Sequence, residues 1–149
     1  MKRIALILLL IIVFCTVPFI YAQDTAYYVE NSAPVQISLI DQAAFPSGLN
    51  TVRGIRANII YGDLLNVYGI DCGLVQRVSE NMNGIEVGAI NLTGHTVGIQ
   101  IGCFANISSA IEGIQIGLFN FTGSSEGIQI GLLNFSKSRV LPLLNFYDK

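Results

Sequence analysis

The pentapeptide Gly-Ile-Gln-Ile-Gly at Gly113–Gly117 returns unchanged at Gly127–Gly131, inside a longer series of copies. Aligned on the leading glycine, the copies begin at Gly54, Gly69, Gly84, Gly98, Gly113 and Gly127, with spacings of 15, 15, 14, 15 and 14 residues. Repetition at so short a period constrains the fold before any single residue does. Each unit is too small to bury its own apolar surface and must stack against its neighbours. The extra residue of the fourth copy is Ala105, because the asparagine there falls one place late, at Asn106. A degenerate seventh copy runs from Ser138 to Asn145, with Pro142 in place of the second glycine, and a faint strand, Val35–Ile40, precedes the array.

Within a copy, side chains alternate with the period of a β-strand. Counting from the glycine, the first position is Ile55, Ile70, Ile85, Ile99, Ile114 and Ile128. The third is Ala57, Cys72, Val87, Ile101, Ile116 and Ile130, and the fifth is Ile59, Leu74, Ala89, Cys103, Leu118 and Leu132. This all-apolar set predicts a buried core face. The second position is Arg56, Asp71, Glu86, Gln100, Gln115 and Gln129, which predicts a polar outer face. The strand then ends in Asn91, Asn106, Asn120 or Asn134, each followed two places later by Ser or Thr. Asn and Ser/Thr suit turns because their side chains bond nearby backbone groups. Stacked in register, Gln100, Gln115 and Gln129, and likewise Asn91, Asn106, Asn120 and Asn134, form hydrogen-bonded ladders. These seven residues are the candidate ladder and contact face.

The pattern predicts an all-β chain, read as a β-solenoid of about seven 14–15-residue coils. The alternative is an eight-stranded up-and-down β-barrel, with each copy one antiparallel strand and the polar-plus-glycine face inside. The solenoid is preferred because an antiparallel arrangement reverses every second copy, so like residues would not meet. The apolar face also holds only about three residues per strand, fewer than a membrane strand of ~9–11 residues presents.

Lys2 and Arg3 precede a nearly unbroken apolar run, Ala5–Ile20, and small Ala22 precedes the polar chain. That order reads as a secretory signal peptide over 1–22. A cap segment over 23–50 and the β-repeat domain over 51–149 follow. The expected location is secreted, outer-membrane or cell-surface associated. The net charge of −2 and the lack of a basic cluster argue against nucleic acid as a partner.

The search for chemistry yields little. His95, the only histidine, lies in the turn Thr93–Thr96, without the partners that a triad or metal site needs. Cys72 and Cys103 alternate onto the apolar face and are expected to point inward as small hydrophobes. They lie two copies apart, too far for a disulfide. Asp71 and Glu86 are the paired carboxylates at equivalent positions, with Arg56 beside them. A carbohydrate-active solenoid enzyme would need these three in an outer groove. No cofactor or metal site is expected.

The copies at Gly113–Asn120 and Gly127–Asn134, the leader, and the closing Leu141-Pro142-Leu143-Leu144-Asn145-Phe146 together resemble the bacterial surface repeat-containing proteins of spirochaetes and Bacteroidota. The resemblance covers about 51–146. It is weakest in the first two copies, where Arg56 and Asp71 replace Gln and Asn58 replaces the second glycine. It implies export and surface exposure and carries no activity. The expected role is a non-enzymatic structural, adhesive or binding scaffold, with an unknown surface, host or envelope ligand. Small integral barrel and solenoid enzyme are the alternatives. The composition is compatible with membrane association, and the ladders suit self-assembly through sheet edges.

Overall fold

The structure, a computed structural model, describes residues 29–137 and 139–147. The leader and its cleavage position lie outside the described residues. The chain is all-β, with one open mixed sheet in the order β2-β1-β3-β4. β1 (Ser32–Ser38) is followed by a 3-10 turn (Asp41–Ala43) and the short β2 (Ala44–Phe45). β3 (Thr51–Ser136) is an unbroken extended run that contains all six copies, and β4 (Arg139–Tyr147) closes the chain.

A straight strand of that length would extend for roughly 280 Å at about 3.3 Å per residue. Instead, successive copies lie side by side with equivalent positions adjacent. A Cβ placed on Gly69, Gly84, Gly98, Gly113 or Gly127 would collide with the carbonyl oxygen of the leading glycine one copy earlier. Each of these glycines has φ between 134° and 147°, a conformation that L side chains rarely adopt. The leading glycine therefore recurs for two reasons, backbone conformation and close approach.

β1 extends the array by pairing in parallel with the first copy, Val35 opposite Ile55 and Ile37 opposite Ala57. The faint strand read over Val35–Ile40 thus sits at Ser32–Ser38, and the segment before Asn50 covers the first copy, with β2 antiparallel on β1. At the other end the structure corrects the sequence reading. The seventh copy expected over Ser138–Asn145 is not a further parallel copy: its described residues, 139–145, belong to β4, which returns antiparallel, Ser136 opposite Arg139 and Gly127 opposite Tyr147. The physical reason is the connection: two residues suffice for a hairpin, whereas a parallel return needs a crossover of a dozen or more.

The larger correction concerns the faces. Gln100, Gln115 and Gln129 are 0% exposed, while Ile101, Ile116 and Ile130 are 37–42% exposed. Ile85, Val87, Leu118 and Leu132 are likewise exposed, and Ile99, Ile114 and Ile128 are half-buried. The expected core faces outward and the expected contact face lies inside. The interior is narrow: a Cβ on Gly117 or Gly131 would meet a carbonyl oxygen and an asparagine amide of the preceding copy. A column of amides flanked by side-chain-free glycines fits there, whereas three columns of Ile, Leu and Val would overfill it. The amides tolerate burial because neighbouring copies satisfy them. The apolar interior cluster comprises Val52, Leu64, Val67, Val78 and Met82, which belong to the early copies and to none of the predicted core columns.

Candidate functional site

The polar interior begins at a buried ion pair. Arg56 donates from Nε to Asp71 Oδ1 at 2.9 Å and from Nη2 to Asp71 Oδ2, a bidentate clasp between the first two copies. Asn58 Nδ2 donates to the same Asp71 Oδ1 at 3.2 Å. In the third copy the column presents Glu86, which is fully buried, with Oε1 lacking a hydrogen-bond partner. Burial, and secondarily the neighbouring Asp71 carboxylate, push the Glu86 carboxyl up to about 7; hydrogen bonds from Gln100 and Thr93 and the charge of Arg56 oppose that rise.

From Glu86 onward the column is a chain of amides. Gln100 Nε2 donates to Glu86 Oε2 at 2.7 Å, and Gln115 Nε2 to Gln100 Oε1 at 2.8 Å. Gln129 Nε2 then donates to Gln115 Oε1 at 2.8 Å, and Asn145 Nδ2 to Gln129 Oε1 at 2.9 Å, so β4 completes the ladder. Every donor points toward the carboxylate. An ionised carboxylate can only accept, so it orients the first amide, and each amide in turn orients the next.

The asparagines form a second ladder of opposite sense. Asn91, Asn106 and Asn120 each donate from Nδ2 to the Oδ1 of the asparagine one copy later, all at 2.8 Å, ending on Asn134. They also donate to the backbone carbonyls of Ile101, Ile116 and Ile130 at 2.9–3.0 Å. Asn106 keeps these bonds despite its late position, so the extra residue is absorbed ahead of it. Thr93, Ser108 and Thr122, two places after Asn91, Asn106 and Asn120, are buried in the same interior, whereas Ser136 after Asn134 donates to the Arg139 carbonyl at the hairpin. Thr93 Oγ1 donates to Glu86 Oε2 and accepts from Gln100, while Ser108 Oγ donates to Gln100 Oε1 and accepts from Gln115.

The remaining candidates separate in space. Arg56, Asp71 and Glu86 come together but are sealed from solvent, so no outer groove carries them. Cys72 and Cys103 are exposed free thiols, which corrects the inward expectation and follows from the reversal of faces. His95 Nε2 lies 3.5 Å from Glu112 Oε1 at the surface. Among the described residues, no three His, Cys, Asp or Glu side chains gather to hold a metal.

One open groove of about 590 Å³ runs across the copies. It is lined by the residues that follow each Asn, Leu92, Ile107, Phe121 and Phe135, and the last two rings stack at 4.4 Å. Sequence reading missed this stripe; the signal was the apolar residue between each Asn and its Ser/Thr.

Comparison with family models, with curated proteins and with solved structures finds no match.

Proposed function

We propose that this protein is an exported, surface-associated β-solenoid that serves as a non-enzymatic scaffold. Its interior is a rigid polar ladder and its working surface is the apolar sheet face. The reading rests on one observation above the others: like residues of successive copies bond to one another, Gln to Gln and Asn to Asn, at 2.8 Å. That arrangement gives each copy a place in a stack. Export rests on the leader-like order of Lys2–Ala22 and on the resemblance to bacterial surface repeat proteins.

The second reading, a small outer-membrane barrel, draws support from the sense of the faces, polar within and apolar without. The open strand order weighs against it. Paired cysteines separate the two in a background lacking Cys72 and Cys103. In a parallel stack, Ile114→Cys and Ile128→Cys lie about 5 Å apart laterally and join through a short crosslinker. In an antiparallel pair, Ile114→Cys instead meets Leu132→Cys at the far end of the neighbouring strand. Crosslinking of 114 to 132 in preference to 128 would replace the solenoid by the barrel.

A further inference from the structure

The first, third and fifth positions of the six copies supply eighteen residues, all of them Ile, Val, Leu, Ala or Cys. The flanking strands continue the surface. Val35 and Ile37 pair opposite Ile55 and Ala57, and Phe146 and Leu144 pair opposite Ile128 and Ile130. Val35, Ile37, Leu144 and Phe146 are all exposed. An apolar face without a charged side chain in its columns therefore runs across the six copies and the two strands, β1 and β4, that flank them, eight rows in all. Monomeric soluble proteins rarely leave so large a patch uncovered.

We infer that this face is covered by the same face of a second copy of this chain, in a two-fold face-to-face sandwich; the inference rests on the parallel stacking proposed above. Three features favour a second copy over a lipid surface. The first is area. Eight strands about 4.8 Å apart, with five residues of about 3.3 Å each, give a face of roughly 38 by 17 Å; two of them bury on the order of 1,300 Å², within the range of about 1,200–2,000 Å² of stable interfaces. The second is composition. The columns of the six copies hold no aromatic residue, and the chain has no Trp, whereas lipid-facing strands carry aromatic girdles at the membrane surface. The third is charge: the chain is net acidic, which does not draw it to anionic lipid. Flat rows of β-branched and Leu side chains are what aligned sheets interdigitate, about 10 Å apart. A two-fold axis lets one patch serve both partners.

Cys72 and Cys103 lie on this face, so their thiols report whether it is covered. The test uses the exported wild-type protein without detergent, by sedimentation velocity and by alkylation of the two thiols with iodoacetamide. The expected result is a mass of two chains, with both thiols alkylated at least tenfold more slowly than in Ile116→Lys, which sediments as one chain with unchanged β circular dichroism. Dilution of the wild type until it dissociates must expose the thiols in the same way, a readout independent of any substitution. A wild type that is monomeric with fast thiols overturns the proposal. So does a dimer whose thiols react freely, which would be joined elsewhere, and so does a monomer that floats with neutral phosphatidylcholine vesicles, for which lipid is the occupant. Each of these leaves the 114–128 crosslink intact if the scaffold reading stands, whereas a 114–132 crosslink removes both.

Discussion

Glu86 ends the glutamine ladder and feels the charges of Asp71 and Arg56, and its environment makes stability depend on pH. Its folded carboxyl titrates at about 7 against an ordinary value of 4.5, so the folded state holds the proton more tightly than the unfolded one. Stability from this group is therefore fully present below about 4.5 and is lost as pH rises through about 7. Two and a half units amount to about 3 kcal/mol, an order-of-magnitude figure. Glu86→Gln keeps the shape and removes the charge. Urea unfolding at pH 8 is expected to show it more stable than wild type by about 1–3 kcal/mol, with little difference at pH 4.5. An unchanged pH slope would assign the effect to another group. A second residue-scale contrast lies in the glycines. Gly113 has φ 138° and a carbonyl oxygen in the space a Cβ would take, whereas Gly48 has φ 71° and open space around it. Gly113→Ala combines backbone strain with a clash and should cost at least about 3 kcal/mol, while Gly48→Ala should cost about 1–2 kcal/mol. Thermal midpoints of the two variants measure the difference.

At the scale of the element, the unit of cohesion is the row of like side chains rather than the strand. Gln115 donates to Gln100 and Ser108 and accepts from Gln129, so it belongs to two neighbouring copies at once. Gln115→Ala leaves Gln129 Nε2 without its ladder acceptor and opens a cavity in a closed interior. The expected loss is about 3–5 kcal/mol, from unmet polar groups at about 1–3 kcal/mol each plus the void. Ile116→Ala next door, measured dilute enough to be monomeric, should cost only about 1 kcal/mol, because the side chain faces out. Chemical denaturation of both variants checks the order; equal losses would return the apolar face to the core. The two ladders run in opposite senses, Gln toward the first copies and Asn toward the last, so their amide dipoles oppose. The ends of the Gln ladder differ in kind: the buried carboxylate of Glu86 at one, the hairpin partner Asn145 at the other.

For the whole molecule, the polar column runs through all the copies, while the apolar cluster of Val52, Leu64, Val67, Val78 and Met82 lies at its start, and Ile111 is the buried apolar side chain of the later copies among the described residues. Both ends are closed by strands that are not copies, β1–β2 at one and β4 at the other. Closure matters because an open sheet edge invites pairing with other chains, and Pro142 in β4 cannot donate to such a pair. The proposed export is tested at this scale. The exported protein is expected to begin at Gln23, and intact-mass measurement decides it; a mass that retains Met1–Ala22 would refute cleavage.

The strand character, the period, the displaced Asn106 and the identity of the ladder residues were all legible in the sequence, because each depends on local alternation and on like residues recurring at a fixed spacing. The groove stripe of Phe121 and Phe135 was legible in principle, as an apolar residue always set between Asn and Ser/Thr. Which face turns inward was not. Alternation divides a strand into two faces but assigns neither to the interior. The usual assumption that Ile and Val go inside failed at Ile116 and Ile130. Only the tertiary structure decided it. The narrow interior leaves room for Gln115 beside glycines, and the neighbouring copies supply the partners that make its burial tolerable. The hairpin at the end was lost for a similar reason. Leu141–Phe146 carries the pattern of a copy, but direction follows from the two-residue connection and not from the pattern. What local sequence determined here is what each copy resembles; the space available between the copies, and the length of the last connection, determined which side is buried and which way the chain returns.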